Sequence, residues 1–227
     1  METLYARDYR RIASEKCARF SSRLAIIFLV YSILSSLGGI VSFEVGELYG
    51  VKIEYNLSGL VMLIIGGPLM VGLAMISRKV YYHEEPQVDD LFSGFKDLGN
   101  NLVLHLLISI YTALWTLLFI IPGIIKGIAY SMAYYIKEEN PSLSANECIT
   151  RSKEMMEGHK WELFCLHLSY LGWYILSIFT FGILLFWVEP KVHVAQYTFY
   201  RNISGKGVST ISNQTVMEDE DFIIKVE

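Results

Sequence analysis

Long stretches of this chain are apolar on every side. The runs Leu24–Phe43, Leu57–Ile76 and Leu102–Ile121 each contain 20 residues without an Asp, Glu, Lys or Arg. About 20 apolar residues is the helical length that crosses a bilayer core of roughly 30 Å. A surface helix of a soluble protein would show polar residues on one face, and these runs show none. The pattern therefore predicts an all-α, polytopic transmembrane helical bundle.

Two further stretches are too long or too mixed to be single, simple helices. Leu102–Ile136 has 35 residues and one Lys, and as one straight helix it would be about 52 Å long. Proline removes a backbone donor and glycine permits a chain reversal, so we predict two helices folded at Pro122-Gly123. Leu163–Val188 contains Thr180-Phe181-Gly182. It is either one tilted helix, or it folds at Gly182 and returns as residues 183–201.

The distribution of basic residues favours a six-span arrangement. Lys and Arg accumulate on the cytoplasmic side of membrane proteins. The predicted spans lie at about 24–43, 57–78, 102–121, 124–137, 161–179 and 183–201, and the basic cytoplasmic segments at 1–23, 77–101, 137–160 and 201–227. These four segments contain all of the 19 basic residues except Lys52, Lys126 and Lys191. Four-span and five-span arrangements would place more basic residues outside. We therefore predict three hairpins with both termini cytoplasmic.

This arrangement divides the chain into three parts. Residues 1–23 are predicted to form a basic cytoplasmic N-terminal helix, residues 24–203 the transmembrane domain, and residues 204–227 an acidic, disordered C-terminal tail. The sixth predicted span carries Glu189, Pro190, Lys191 and His193. It must face the bundle interior or lie at the membrane interface, because a lipid-facing helix could not carry these groups cheaply.

Several sequence blocks resemble a known bacterial family. They are IIPGIIKGIAYSMAYYI, Ser152-Lys153 with Met156-x-Gly158-His159-Lys160, Leu168–Trp173, Phe199-Tyr200 and Leu91–Phe95. They are similar to blocks of the domain of unknown function 975 family of bacterial integral membrane proteins, over about residues 20–203. The resemblance implies a multi-pass protein of the bacterial cytoplasmic membrane, and it implies no activity.

Five polar residues within the spans are candidates for a functional interior cluster. They are Lys126, Glu189, His193, His167 and His105. Ionisable residues inside a membrane are costly and often functional. Lys126 and Glu189 could meet as a buried pair, and the histidines with Glu189 could line a polar pocket or proton path. The alternatives are that Lys126 extends to the outer interface and that each histidine is an interfacial or hydrogen-bonded core residue.

The sequence shows no pattern of a catalytic centre. It has no H-E-x-x-H, G-x-S-x-G or Walker sequence, and we expect no cofactor, no metal and no nucleic-acid partner. With 53% hydrophobic and 19% charged residues, the chain is more apolar and less charged than a typical soluble domain. One membrane domain takes up nearly all of it.

These observations leave three functional hypotheses. The first is a non-enzymatic cell-membrane module that organises lipid or a partner protein, the partner binding through residues 142–160 or through the C-terminal tail. The second is a small transporter or channel with an interior polar cluster. The third is an intramembrane enzyme that uses Glu189 and His193. The substrate, the partner and the oligomeric state do not follow from the sequence.

Overall fold

Long apolar helices dominate the architecture. The computed structural model describes residues 4–37, 42–48, 51–56 and 58–205, and side chains within 4–35 and 62–205. The helices are α1 (Ala6–Ala18), α2 (Ser21–Leu37), α3 (Ser58–Tyr81), α4 (Val88–Leu91), α5 (Leu98–Leu118), α6 (Ile120–Tyr130), α7 (Ala133–Glu139), α8 (Ala145–Met155), α9 (Lys160–Phe179) and α10 (Leu185–Ile203), with a 3-10 helix at Ser93–Asp97 between α4 and α5. The helical architecture predicted from the apolar runs is confirmed.

By length and composition, three helical segments among the described residues could cross a membrane. They are Met62–Tyr81, Val88–Leu118 and Lys160–Phe179, of 20, 31 and 20 residues. A fourth candidate is the pair α1 and α2, whose axes bend by 99° at the short break between them. The predicted basic helix thus corresponds to α1, which turns sharply into the apolar α2. The acidic tail lies outside the described residues from position 206 onward.

The connection between α2 and α3 contains a two-stranded antiparallel hairpin. Strand β1 (Ser42–Leu48) pairs with β2 (Val51–Asn56), and Leu48 lies opposite Val51 at the closed end. An irregularity interrupts the register between Glu44 and Gly46. The first predicted span extends to Phe43, whereas α2 ends at Leu37. Gly38 and Gly39, which follow it, are poor helix formers.

Helices α5 and α6 run antiparallel around a one-residue break at Phe119. Gly123 contacts Thr116 next to the break, and the ring of Tyr130 at the other end of α6 packs on the ring of Tyr111. The reversal lies at Phe119, whose backbone is extended, and not at Pro122-Gly123 as predicted. Pro122 instead falls in the first turn of α6, where proline is tolerated because no helical N–H is needed. Gly123 is required because any Cβ there would clash with Thr116.

The fourth predicted span, 124–137, is interrupted in the structure. Helix α6 ends at Tyr130, and α7 begins at Ala133 after a turn at Ser131–Met132. Alone, the 11 residues of α6 would extend about 16 Å, roughly half of a bilayer core. Only α6 and α7 together approach a spanning length.

Helices α9 and α10 also run antiparallel. The chain reverses between Thr180 and Leu184, where Phe181 and Gly182 have positive φ angles of 51° and 82°. The hydroxyl of Tyr170 donates to the carbonyl oxygen of Lys191, at 3.3 Å, across the pair. Of the two readings of Leu163–Val188, the structure thus has the one that folds at Gly182.

Helix α10 forms the centre of the core. It packs on α1, α2, α3 and α9, and ten of its 19 residues are buried. Its Tyr197 and Phe199 are fully enclosed. Exposing Glu189 and Arg201 to lipid would cost free energy. The central position of α10 keeps these side chains among protein neighbours instead.

Glycines of α3 allow its neighbours to approach closely. A Cβ on Gly72 would clash with the backbone carbonyl of Leu91, and one on Gly67 with that of Asn101. Small residues at helix contacts are typical of membrane bundles, where close backbone packing replaces the hydrophobic effect. These glycines therefore fix the position of α4 and α5 against α3.

Candidate functional site: an interior polar network

Polar side chains lie along α10 and along the helices that surround it. Glu189, His193 and Gln196 follow one another at intervals of three or four residues, which places them on one side of the helix. The facing side chains come from α2, α7 and α9. The result is a row of polar contacts within an otherwise apolar core.

Glu189 lies between two tyrosines. Its carboxylate faces the hydroxyl of Tyr174 of α9, and it is close enough to Tyr31 of α2 to interact with it electrostatically. Because α9 and α10 are antiparallel, Tyr174 and Glu189 lie at the same height. A tyrosine hydroxyl satisfies part of the hydrogen-bonding capacity of this half-buried carboxylate.

His167 and His193 belong to the same network. The amide nitrogen of Gln196 lies 2.9 Å from Nε2 of His167, and the hydroxyl of Tyr135 donates to the amide oxygen of Gln196 at 3.2 Å. The ring of His193 packs on the ring of Phe28, with 5.7 Å between centroids. Gln196 thus links α9 to α7 across α10.

His105 lies apart from the other two histidines. Its Nδ1 is 2.7 Å from the hydroxyl of Tyr134, and its ring fills the space above Gly66 of α3. The three histidines therefore do not form one cluster. The structure brings together His167 and His193, and gives His105 a separate tyrosine partner.

Lys126 contacts an aromatic ring. Its Nζ lies 4.7 Å from the centroid of the Trp115 ring in α5, a cation–π geometry. Among the described contacts there is no ion pair between Lys126 and Glu189, each of which has an aromatic partner on its own hairpin. The buried pair considered from the sequence is absent because the two residues belong to different hairpins.

A second polar cluster, which the sequence analysis missed, lies where α7 and α10 end. The carboxylate of Glu139 accepts hydrogen bonds from the hydroxyls of Tyr197 and Tyr200, both at 3.0 Å, and from Arg201 at 3.2 Å. We call these four residues the Glu139 cluster. Arg201 also lies over the ring of Tyr82. The spacing of Tyr197, Tyr200 and Arg201 puts them on one helical face, a signal that was present in the sequence.

Further ion pairs join the same region. Arg78 of α3 binds Glu138 at 2.9 Å, and the fully enclosed Lys137 lies 3.2 Å from Asp97. Burial raises the pKa of Glu138, and the nearby Arg78 opposes that shift. Together with the Glu139 cluster, these pairs connect the ends of α3, α7 and α10 with the start of α5.

The segment 142–160 is partly packed beneath the helices. The hydroxyl of Ser152 in α8 donates to the carbonyl oxygen of Ala129 at 2.8 Å. Ser144 and Glu147 form a capping box, with reciprocal side-chain and backbone hydrogen bonds. The opposite face of α8, which includes Arg151 and Lys153, is exposed. It is the part of this segment that a partner could reach.

The described side chains provide few reactive groups. Burial raises the pKa of Cys148, and a thiol in such surroundings is a poor nucleophile. Among the residues that the structure describes, no three His, Cys, Asp or Glu side chains are grouped so that they could hold a metal ion. The network is suited to holding helices together or to relaying protons along hydrogen bonds.

Comparison with known proteins identifies one family. The model of the family described as "protein of unknown function (DUF975)" matches residues 117–207. This match confirms the resemblance over a segment that contains α6 to α10, the Glu139 cluster and four of the five candidate polar residues. No curated protein and no solved structure matches the chain.

Proposed function

We propose that this protein is a non-enzymatic integral membrane module of the bacterial cell membrane that organises lipid or a partner protein. The observation that carries the proposal is that the candidate polar residues are paired with one another or with aromatic side chains. Glu189 has Tyr174, His167 has Gln196, His105 has Tyr134 and Lys126 has Trp115. Groups that are paired in this way stabilise helix packing, whereas a catalytic centre keeps a group directed at substrate.

The exposed surface supports a membrane environment. The ends of α5 and α9 display large apolar side chains, among them Leu117 (87% exposed) and Phe179 (76% exposed). Apolar patches of this kind on a folded protein mark contact with lipid or with another protein.

The proposal includes six spans with both termini in the cytoplasm. Contacts between the four basic segments support it, since Arg78 binds Glu138, Lys137 binds Asp97 and Asn202 binds Tyr9. Segments that share a membrane side should meet at one end of the bundle. Single cysteines at positions 146 and 212, placed in a cysteine-free background, test the arrangement. Both should resist an impermeant thiol reagent in intact cells, and labelling of either one would overturn the six-span scheme.

Purification of the full-length protein in a mild detergent tests the proposed role. Lipid extraction followed by mass spectrometry, and protein identification after chemical cross-linking, should reveal tightly held lipid or a specific partner. An Arg151→Glu/Lys153→Glu variant changes the exposed face of α8 without touching the buried Ser152. Loss of a cross-linked partner in that variant would assign the partner to α8. A protein that carries neither lipid nor partner would contradict the proposal.

A second candidate function is a small transporter or channel. The continuous contacts from Tyr135 through Gln196 to His167, with Glu189 on the same helix, favour it, because interior polar groups are typical of transporters. Flux into proteoliposomes that falls in Glu189→Gln would support this candidate. Flux that is unchanged in both Glu189→Gln and Lys126→Ala would show that neither residue takes part in transport.

A further inference from the structure

A groove with one cationic and one apolar part runs between α1, α9 and α10. Its volume is about 370 Å³. Arg7, Arg10 and Arg11 of α1 and Lys191 of α10 line the cationic part, while Trp173, Leu184 and Trp187 line the apolar part. None of the lining residues that the structure describes is acidic.

Four cations line the groove, and no carboxylate of the described residues lines it with them. In the described part of the chain, Arg7, Arg11 and Lys191 have no carboxylate within ion-pairing distance, and the first two are exposed. Arg10 is held by a hydrogen bond of 2.8 Å from its Nη1 to the carbonyl oxygen of Ser169, which fixes the direction of its guanidinium. Like charges at close range repel one another. An anion in the groove would relieve that repulsion and accept charge-assisted hydrogen bonds.

The apolar part shows what kind of anion fits. Trp173 and Trp187 are 45% and 47% exposed, so their rings offer apolar surface beside the cations of the groove. Trp187 lies one helical turn before Lys191 on α10, so apolar and cationic surfaces adjoin. A neighbouring cavity of about 310 Å³ shares Ser14, Trp187 and Lys191 with the groove and extends it towards Leu24. A small inorganic anion would leave this apolar surface uncovered, whereas an amphiphile covers both parts.

We propose that this groove binds an anionic phospholipid. The headgroup phosphate contacts the Arg7, Arg11 and Lys191 side chains, and an acyl chain lies along Trp173 and Trp187. A zwitterionic lipid fits less well because its ammonium group would add a further positive charge to the cationic part. This inference rests on the proposed lipid-organising function and names the lipid class and the site.

Native mass spectrometry of the full-length protein in detergent tests the site. The probes are phosphatidylglycerol and phosphatidylcholine with identical acyl chains, and inorganic phosphate as a competitor. We expect preferential retention of phosphatidylglycerol by the wild type. In the Arg7→Gln/Arg11→Gln variant, affinity should fall about 25-fold, since each cation near an anionic headgroup contributes about a fivefold effect. The matched control, Arg151→Gln/Lys153→Gln on the exposed face of α8, should retain the lipid as the wild type does.

Trp187→Ala provides a second, independent variant. It leaves every cation in place and should weaken binding of both lipids, because it removes apolar contact with the acyl chain. Circular dichroism and thermal unfolding of each variant verify that the fold is retained. Phosphatidylglycerol binding that is lowered by both the Arg7/Arg11 variant and Trp187→Ala, and unaffected by millimolar inorganic phosphate, supports the proposal.

Three results would overturn it. They are equal retention of the two lipids by the wild type, equal loss in the α8 control and the groove variant, and complete displacement of the lipid by inorganic phosphate. If the groove variant keeps its lipid, the site is wrong while the lipid-organising function stands. If the wild type holds neither lipid nor partner, the proposed function itself fails.

Discussion

Removal of the Glu139 carboxylate should destabilise the fold more than any surface substitution. In Glu139→Ala, the hydroxyls of Tyr197 and Tyr200 lose their acceptor and Arg201 loses its ion pair. The side chains of Glu139 and Arg201 are only 11% and 12% exposed, so water replaces the missing carboxylate poorly. The substitution therefore leaves one charged group and two hydroxyls in largely dry surroundings.

The magnitude follows from the cost of isolated buried groups. Breaking a buried ion pair by removal of one partner costs about 3–5 kcal/mol, and a buried donor without a partner costs about 1–3 kcal/mol. These costs overlap because the same carboxylate serves all three donors. We expect the free energy of unfolding to fall by about 3–5 kcal/mol. Arg201→Leu in turn removes the ion-pair partner of Glu139. The loss in free energy of unfolding in the Glu139→Leu/Arg201→Leu double variant should therefore be about 0.5–3 kcal/mol smaller than the sum of the losses in the two single variants.

Unfolding in mixed micelles, followed by circular dichroism during titration with a denaturing detergent, measures these free energies. Glu154→Ala is the matched control, because Glu154 is an exposed carboxylate on α8 and its substitution should change stability by less than about 0.5 kcal/mol. A Glu139→Ala protein within about 1 kcal/mol of this control would refute the reasoning. So would strict additivity in the double variant.

Three further substitutions probe other contacts. Gly72→Ala forces a Cβ into a backbone carbonyl and should cost about 1–3 kcal/mol in the same unfolding assay, whereas Gly99→Ala, which meets open space, should not destabilise. Tyr135→Phe removes a hydrogen bond within the interior network and should cost about 0.5–1.5 kcal/mol; a more stable variant would contradict its structural role. Hydrogen bonds from Ser144 hold the pKa of Glu147 below its ordinary value. The ionised carboxylate therefore stabilises the fold at any pH above the pKa of the unfolded chain, which is about 4.3. This contribution is lost as the pH falls through the lower pKa of the folded protein. Between pH about 5 and about 3, Glu147→Gln should therefore lose less stability than the wild type, and identical acid titration curves would contradict this.

The apolar runs predict the long helices because length and hydrophobicity are properties of a single segment. The second, third and fifth predicted spans coincide with most of α3, α5 and α9. Chain reversals were harder to place. Pro122 suggested the break, yet proline is accommodated within the first turn of a helix, so the reversal could occur three residues earlier, at Phe119.

Strand β2 of the hairpin has a local signal in the sequence. Val51–Asn56 reads apolar, polar, apolar, polar, apolar, polar, the period of two that is typical of a strand.

Partners of the polar residues could not be predicted from one sequence. Polarity within apolar runs identified His167 and Glu189, but Tyr135 and Gln196 are 61 positions apart, and nothing local indicates that they meet. The same holds for Glu139 and its two tyrosines. A pattern of residue types shows which groups need a partner inside a membrane, whereas the packing of distant helices decides which partner they receive.

The central position of α10 has a consequence for biosynthesis. Its packing partners α1, α2, α3 and α9 all precede it in the chain, and the contact of Tyr9 with Asn202 joins positions 193 residues apart. At about 5–20 residues per second, the ribosome needs roughly 10–40 s to produce the segment between them. During that interval the early helices lack their main neighbour, so insertion factors or lipids must shield their polar groups until α10 arrives.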